Sequence, residues 1–296
     1  MDLAIGALPA AILGVLALPF LRESPLYLEQ AGRYGDARAV LEWIRHNNGS
    51  EAAVEYDQQS KEASSSAPAA SLPWRSQWAI VWNRHLGYTT ATLGFASLTC
   101  NLVEYGCAYA EPLVLQTTHA RISPGLQLLL KYLVNIVVRI CVAFVAVLLS
   151  RRSSLVSAYL GGCVAGLLLF AWTGGKQGRP LLLEIVYYAG QYLPLIGVAL
   201  ALLVTYQISV DVYPISASVT GCSFCVGIGR VASISAPYLF EGIPGPWQNF
   251  YIFMASCSVI AAALSCGLPE TVESPGQEVA EPLEVATSAD LGEKLS

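Results

Sequence analysis

Ionisable side chains are rare in the apolar stretches of this chain, and where they occur they are spaced to meet. One stretch carries Lys131, Asn135 and Arg139, four residues apart and so on one face of a helix. Another carries Asn101, Glu104 and Tyr105 on neighbouring positions. A third carries Tyr187 and Gln191, four apart, followed by Pro194 and Gly197, where a kink is expected. Arg230 lies in a fourth, at a depth similar to Arg139. Charge is costly in hydrocarbon, so such groups mark solute paths or paired contacts. The chemistry they offer is recognition rather than bond-making. Together they predict a polar cavity between helices. Glu104 faces two or three bases there, and this positive excess favours an anionic solute, or an acid paired and released in transit. The structural alternative is a closed Glu104–Lys131 or Glu104–Arg139 pair that holds the bundle. Lys131 lies within ~10 Å of its helix end and can also snorkel to the surface. Packing hydrogen bonds serve Tyr187 and Gln191 equally well.

These residues need helices that cross a membrane to position them. Hydrophobic residues make up 54% of the 296 and charged residues 12%, about half the charge of an ordinary soluble domain. Mean hydropathy is +0.52, more apolar surface than one soluble core of this length can hide. Seven stretches are long enough to span a bilayer: 3–21, 84–112, 125–149, 153–173, 181–208, 214–240 and 247–268, here helices A to G. An unpaired strand cannot cross lipid, so each is expected to be α-helical. The predicted class is an all-α polytopic membrane protein.

Loop charge sets the orientation. With the A–B loop inside, ten Lys and Arg face the cytoplasm, Arg151 and Arg152 among them, against Arg121, Lys176 and Arg179 outside. The N-terminus is then outside and the C-terminus cytoplasmic. Helix A is preceded by Asp2 and followed by Arg22, which argues against a signal peptide. The loop over 22–83 predicts two short helices. Ser24-Pro25 starts the first and Gly32 breaks it. Ala37, Val40, Leu41 and Ile44 form one apolar face of the second, which Asn47-Asn48-Gly49 stops. Residues 57–72 read as a flexible linker and the acidic tail over 269–296 as disordered. Asn48-Gly49-Ser50 is a glycosylation sequon that this topology keeps in the cytoplasm, unmodified.

Four motifs in order carry a family resemblance. Arg22-Glu23-Ser24-Pro25-Leu26-Tyr27-Leu28 with Gly32-Arg33-Tyr34 follows helix A. Val147 to Ser153 joins C to D. Asp211-Val212-Tyr213-Pro214, Thr220-Gly221, Gly229-Arg230 and Ala236-Pro237-Tyr238 run through F. Leu268-Pro269-Glu270-Thr271 follows G. The set resembles the major facilitator superfamily, in its branch of sugar porters, organic-ion transporters and synaptic-vesicle-glycoprotein-like proteins, over about 3–271. The resemblance implies that A to G correspond to the family's helices six to twelve. The fold would be the C-terminal half of a major-facilitator bundle plus the preceding helix. Residues 1–21 would be the sixth helix, 22–83 the cytoplasmic central loop and 84–268 the six-helix bundle.

The resemblance also implies a cytoplasmic cluster of charges that stabilises one access state. Glu23, Arg151, Arg152 and Asp211 match it, whereas Leu26, Val147, Ser150 and Ser218 stand where the family has other residues. Sugar-binding positions do not match: helix B reads Ala96-Ser97-Leu98-Thr99-Cys100-Asn101 without paired glutamines, and helix E lacks a GPxxW segment. The expected function is alternating-access transport of a small organic solute by a secondary transporter or facilitator. Seven helices of twelve point to an incomplete transporter whose N-terminal half lies elsewhere. The alternative is a short membrane protein that binds or regulates a partner and carries nothing.

Other functions leave no mark in the sequence. His46, His85 and His119 have no ligand spacing, and no phosphate-cradling loop or nucleic-acid surface occurs. Neither a cofactor nor an enzymatic activity is expected. Cys222-x-x-Cys225 reads as small-residue packing, because a second such pair, needed for zinc, is missing. Gly221, Cys225, Gly229 and Ser233 form a ridge of small residues that permits close helix approach.

Overall fold

Prolines and loop glycines cut the chain into helices close to the expected limits. The computed structural model describes residues 12–16, 21–30, 32–49, 73–118, 122–148, 151–176 and 178–268. Most of helix A, the 57–72 linker and the tail beyond 268 lie outside the described residues, while 12–16 are helical and exposed. The helices are α1 (Pro25–Gln30), α2 (Tyr34–Asn48), α3 (Trp74–Val81), α4 (Gly87–Thr117) and α5 (Pro124–Leu148). Then follow α6 (Arg151–Ser157), a π-helical segment (Ala158–Val164), α7 (Ala165–Gly174), α8 (Leu181–Val212), α9 (Ile215–Gly242) and α10 (Gln248–Ser265). Helix B is thus α4, C is α5, D is α6 with the π segment and α7, and E, F and G are α8, α9 and α10. No strand occurs among the described residues.

Five of these are long and apolar enough to cross a membrane: Pro124–Phe144, Arg152–Gly174, Leu181–Val212, Ala217–Gly242 and Gln248–Ser265. The chain is an all-α polytopic membrane protein. Helix B is present as α4 but falls outside that set. Its Thr, Ser, Asn and Glu side chains dilute its apolar character, and many of them, Thr90, Ser97, Thr99, Asn101 and Glu111 among them, are buried. It also runs five residues past the expected end at 112, through Pro112 to Thr117.

The chain divides into two compact units, Met1–Pro73 and Trp74–Ser296. In the first, Leu28 of α1 closes over Ala37 and Val40 of α2. Ile44 stays 36% exposed, so the apolar face of α2 is narrower than its spacing suggested. Gly49 caps α2 in the left-handed region at φ 63°, its N–H donating to the Arg45 and His46 carbonyls. Arg33 donates to Asp36 at 2.8 Å and to Glu23 at 2.9 Å. The Asp36 hydrogen bond and charge, then the Glu23 charge, push the Arg33 pKa up.

The second unit begins at Trp74 rather than at 84, because α3 packs on α9. Trp78 and Trp82 stand edge-on to Phe224, and Val81 is buried with Tyr213 and Ala217. In the bundle, α4 is the hub between α9, α8 and α10. Gly229 of α9 sits against Ser97 and Asn101 of α4, so close that a Cβ there would meet Asn101 Nδ2 at 2.5 Å. The small-residue ridge is therefore a packing surface. On the other side, Gly197 and Pro194 of α8 lie against Gly162 and Gly166. The π segment occupies this crossing, and its Tyr159 hydroxyl donates to the Ala96 carbonyl of α4 at 2.8 Å.

Candidate substrate cavity

Two helices supply the charges. Glu104 and Glu111 are seven residues apart on α4, close to two full turns, and so share a face. Lys131, Asn135 and Arg139 line the facing stripe of α5. The result is a ladder with two charged rungs. On one, Arg139 Nη2 donates to Glu104 Oε1 at 2.5 Å, and Arg139 Nε donates to Asn135 Oδ1 at 3.1 Å. On the other, Lys131 Nζ donates to Glu111 Oε1. The rungs differ in access. The Arg139 and Glu104 side chains are 48% and 31% exposed, those of Lys131 and Glu111 only 7% and 5%.

Both rungs border one cavity of about 160 Å³. Its lining comes from α4 (Glu104, Tyr105, Glu111), α5 (Lys131, Tyr132, Asn135, Arg139) and α8 (Pro194, Leu195, Val198), with Val103, Cys107 and Ala108 between. Pro194 and the residues after it supply an apolar wall opposite the charges.

The ladder changes three expectations. Lys131 does not snorkel; it is buried and held by Glu111. Of the two pairings open to Glu104, the one with Arg139 forms. The expected positive excess is absent, because Glu111 adds a second carboxylate and Arg230 is not on the lining, leaving two acids against two bases. Glu111 lies inside helix B as expected over 84–112 but is not among the expected site residues. Its seven-residue spacing from Glu104 is the signal that could have found it.

The remaining candidates lie around the cavity rather than in it. Arg230 Nη1 of α9 donates to the Tyr105 hydroxyl at 3.0 Å, joining the cavity rim to α9. Asn101 is buried, donating to the Ser97 carbonyl and accepting from Ser233 Oγ at 3.3 Å. Tyr187 is fully buried, stacked on Phe170 and under the Arg179 guanidinium at 4.1 Å. Its hydroxyl lies 3.4 Å from both Thr118 and Gln127. Gln191 is 2% exposed, and its Nε2 has no partner among the described residues.

The four expected gate residues belong to three segments of the chain: Glu23 precedes α1, Arg151 and Arg152 open α6, and Asp211 lies near the end of α8. Glu23 belongs to the first unit and accepts from Arg33. Arg152 is half-buried at the start of α6, and Asp211 is exposed near the end of α8. The Arg151 side chain lies outside the described residues. All eight cysteines are free. Cys222 Sγ donates to the Ser209 carbonyl at 3.0 Å while Cys225 lies 3.8 Å from the Tyr213 hydroxyl, so the two serve different packing contacts.

Spanning helices around a charged cavity are what a carrier of small solutes needs. A family model described as "Sugar (and other) transporter" matches residues 3–282, nearly the whole chain. The motifs between the helices and the match along their length agree, and the chain belongs to this transporter family of the major facilitator superfamily.

Proposed function

We propose that this chain forms one wall of an alternating-access pathway for a small organic solute, which contacts the protein at the Glu104–Arg139 pair. The observation that carries this reading is the contrast between the rungs. A sealed pair holds helices together, whereas a pair exposed by a third to a half on a cavity wall is open to competition from a solute. Asn135 and Tyr105 extend that contact surface, and Arg230 positions Tyr105. Alternating access rocks two half-bundles against each other around a central site. In this reading the partner is an N-terminal half-bundle. The spans of α5 and α9, which flank the open pair, are only 17% and 28% buried and leave broad faces for lipid and for that half. Glu23, Arg151, Arg152 and Asp211 serve as the cytoplasmic gate, through pairings available in only one access state.

The test is solute uptake by the full-length protein in proteoliposomes. Arg139→Ala is expected to reduce uptake by more than about tenfold at equal protein level, a loss of at least ~1.4 kcal/mol. Arg230→Ala acts through Tyr105 and is expected to reduce it less. Uptake and affinity unchanged in Arg139→Ala would remove the cavity from the pathway. Solute binding without flux in the unaltered protein would favour the second reading, a membrane protein that binds or regulates a partner.

A further inference from the structure

The charge inventory of the cavity selects a class of solute. Two carboxylates and two cations line it, and each is engaged by its opposite. An anion that takes Arg139 strips Glu104 of its partner, and a cation that takes Glu104 strips Arg139. Either exchange leaves an unpaired charge next to a bound solute that has displaced the water around it, which is the costly outcome. A neutral polyol avoids that cost but finds few neutral partners. Asn135 Oδ1 already accepts from Arg139 and the Tyr105 hydroxyl already accepts from Arg230, which leaves that hydroxyl and the Asn135 amide N–H groups as donors only. Tyr132 adds one more hydroxyl, too few for the many hydroxyls of a polyol, and most of the other lining is apolar: Val103, Ala108, Pro194, Leu195 and Val198.

Given that the solute travels through this cavity, as proposed above, the geometry points to a zwitterion: a small molecule with one carboxylate and one ammonium group. Its carboxylate takes the Arg139 guanidinium and its ammonium takes the Glu104 carboxylate. One ion pair becomes two, and no charge is left over. The Lys131–Glu111 rung stays closed, because its side chains are nearly inaccessible. It fixes the spacing of α4 and α5 while the open rung parts. The apolar wall from Pro194 to Val198 takes the uncharged part of the solute. No covalent step is involved.

Matched charge series test this on the full-length protein in nanodiscs. Leucine is the zwitterion, N-acetyl-leucine the anion, leucine methyl ester the cation and N-acetyl-leucine amide the neutral form. The same four forms are prepared on glycine and phenylalanine. Binding is read by the shift in thermal unfolding midpoint over a concentration series. The zwitterion of at least one skeleton is expected to bind at least about tenfold more tightly than its three derivatives. Glu104→Gln is expected to move the preference to the anion and Arg139→Gln to the cation. The double Gln variant should favour no charge class.

A structural role alone would weaken all forms together and would not reverse the order. Preference of the unaltered protein for an anion, a cation or a neutral form overturns the zwitterion inference, as does binding of none. If that other form loses affinity in Arg139→Gln or in Glu104→Gln, the cavity reading survives and only the solute class falls. If a bound form is indifferent to both single variants, the cavity reading falls as well.

Discussion

A buried ammonium and a buried carboxylate stabilise each other only while both are present, and Lys131 and Glu111 are such a pair. Glu111→Gln leaves Lys131 uncompensated and is expected to cost about 3–5 kcal/mol, seen as a lower thermal midpoint in detergent. Glu111→Leu with Lys131→Met removes both charges and should recover most of that loss. The Glu104–Arg139 pair is partly solvated, and Glu104→Gln should cost no more than ~1 kcal/mol in the same assay. These opposite outcomes separate a pair that builds the bundle from one that faces a solute. At this scale the sequence was half legible. The four-residue spacing on α5 placed Lys131, Asn135 and Arg139 on one stripe, and all three line the cavity. Which acid meets which base depends on how α4 and α5 cross, and no single-helix period encodes that. The same limit explains Arg230, whose depth was readable but whose partner, Tyr105, was not.

Where helices cross closely, glycine decides how near they come. A Cβ on Gly162 would lie 2.4 Å from the Gly197 Cα, backbone that cannot step aside, while one on the adjacent Gly161 would meet nothing within 4 Å. Gly162→Ala is therefore expected to destabilise the bundle by about 1–3 kcal/mol. Gly161→Ala should be neutral or slightly stabilising, by up to ~1 kcal/mol, since it lowers backbone entropy without a clash. Thermostability by fluorescence-detected size exclusion compares the two. Helix limits were legible within a few residues for B to G, because apolar length and flanking Pro and Gly are local signals. Two elements were not. The π segment at Ala158–Val164 leaves no periodic trace, since its extra residue per turn is a response to the α8 crossing. Helix α3 was absorbed into the loop because its Trp-rich face reads as a helix surface only once Phe224 of α9 is there to receive it.

At the scale of the whole chain, composition and apolar length sufficed for the class, and motif order sufficed for the family. Orientation rests on loop charge and carries its own prediction. With the A–B segment cytoplasmic, Asn48 at the end of α2 receives no glycan. A glycosidase digest should leave gel mobility unchanged, and a shift would invert the proposed topology. The positive excess failed at this scale too. Counting charges per helix included Arg230, which the bundle points at Tyr105 on the cavity rim, and omitted Glu111, which the bundle folds in.

The cancelling rungs have an electrical consequence. Membrane voltage does work only on net charge, about 2.3 kcal/mol per elementary charge across 100 mV. Glu104 with Arg139 and Glu111 with Lys131 sum to zero, so a wall that carries both pairs through the field is driven by neither. Arg230, bonded to a neutral phenol, is left to feel it. The share of any voltage dependence that the charges at this cavity contribute to reorientation of the empty carrier should then enter through α9 and fall in Arg230→Gln, with transient currents in voltage-clamped membranes as the measurement.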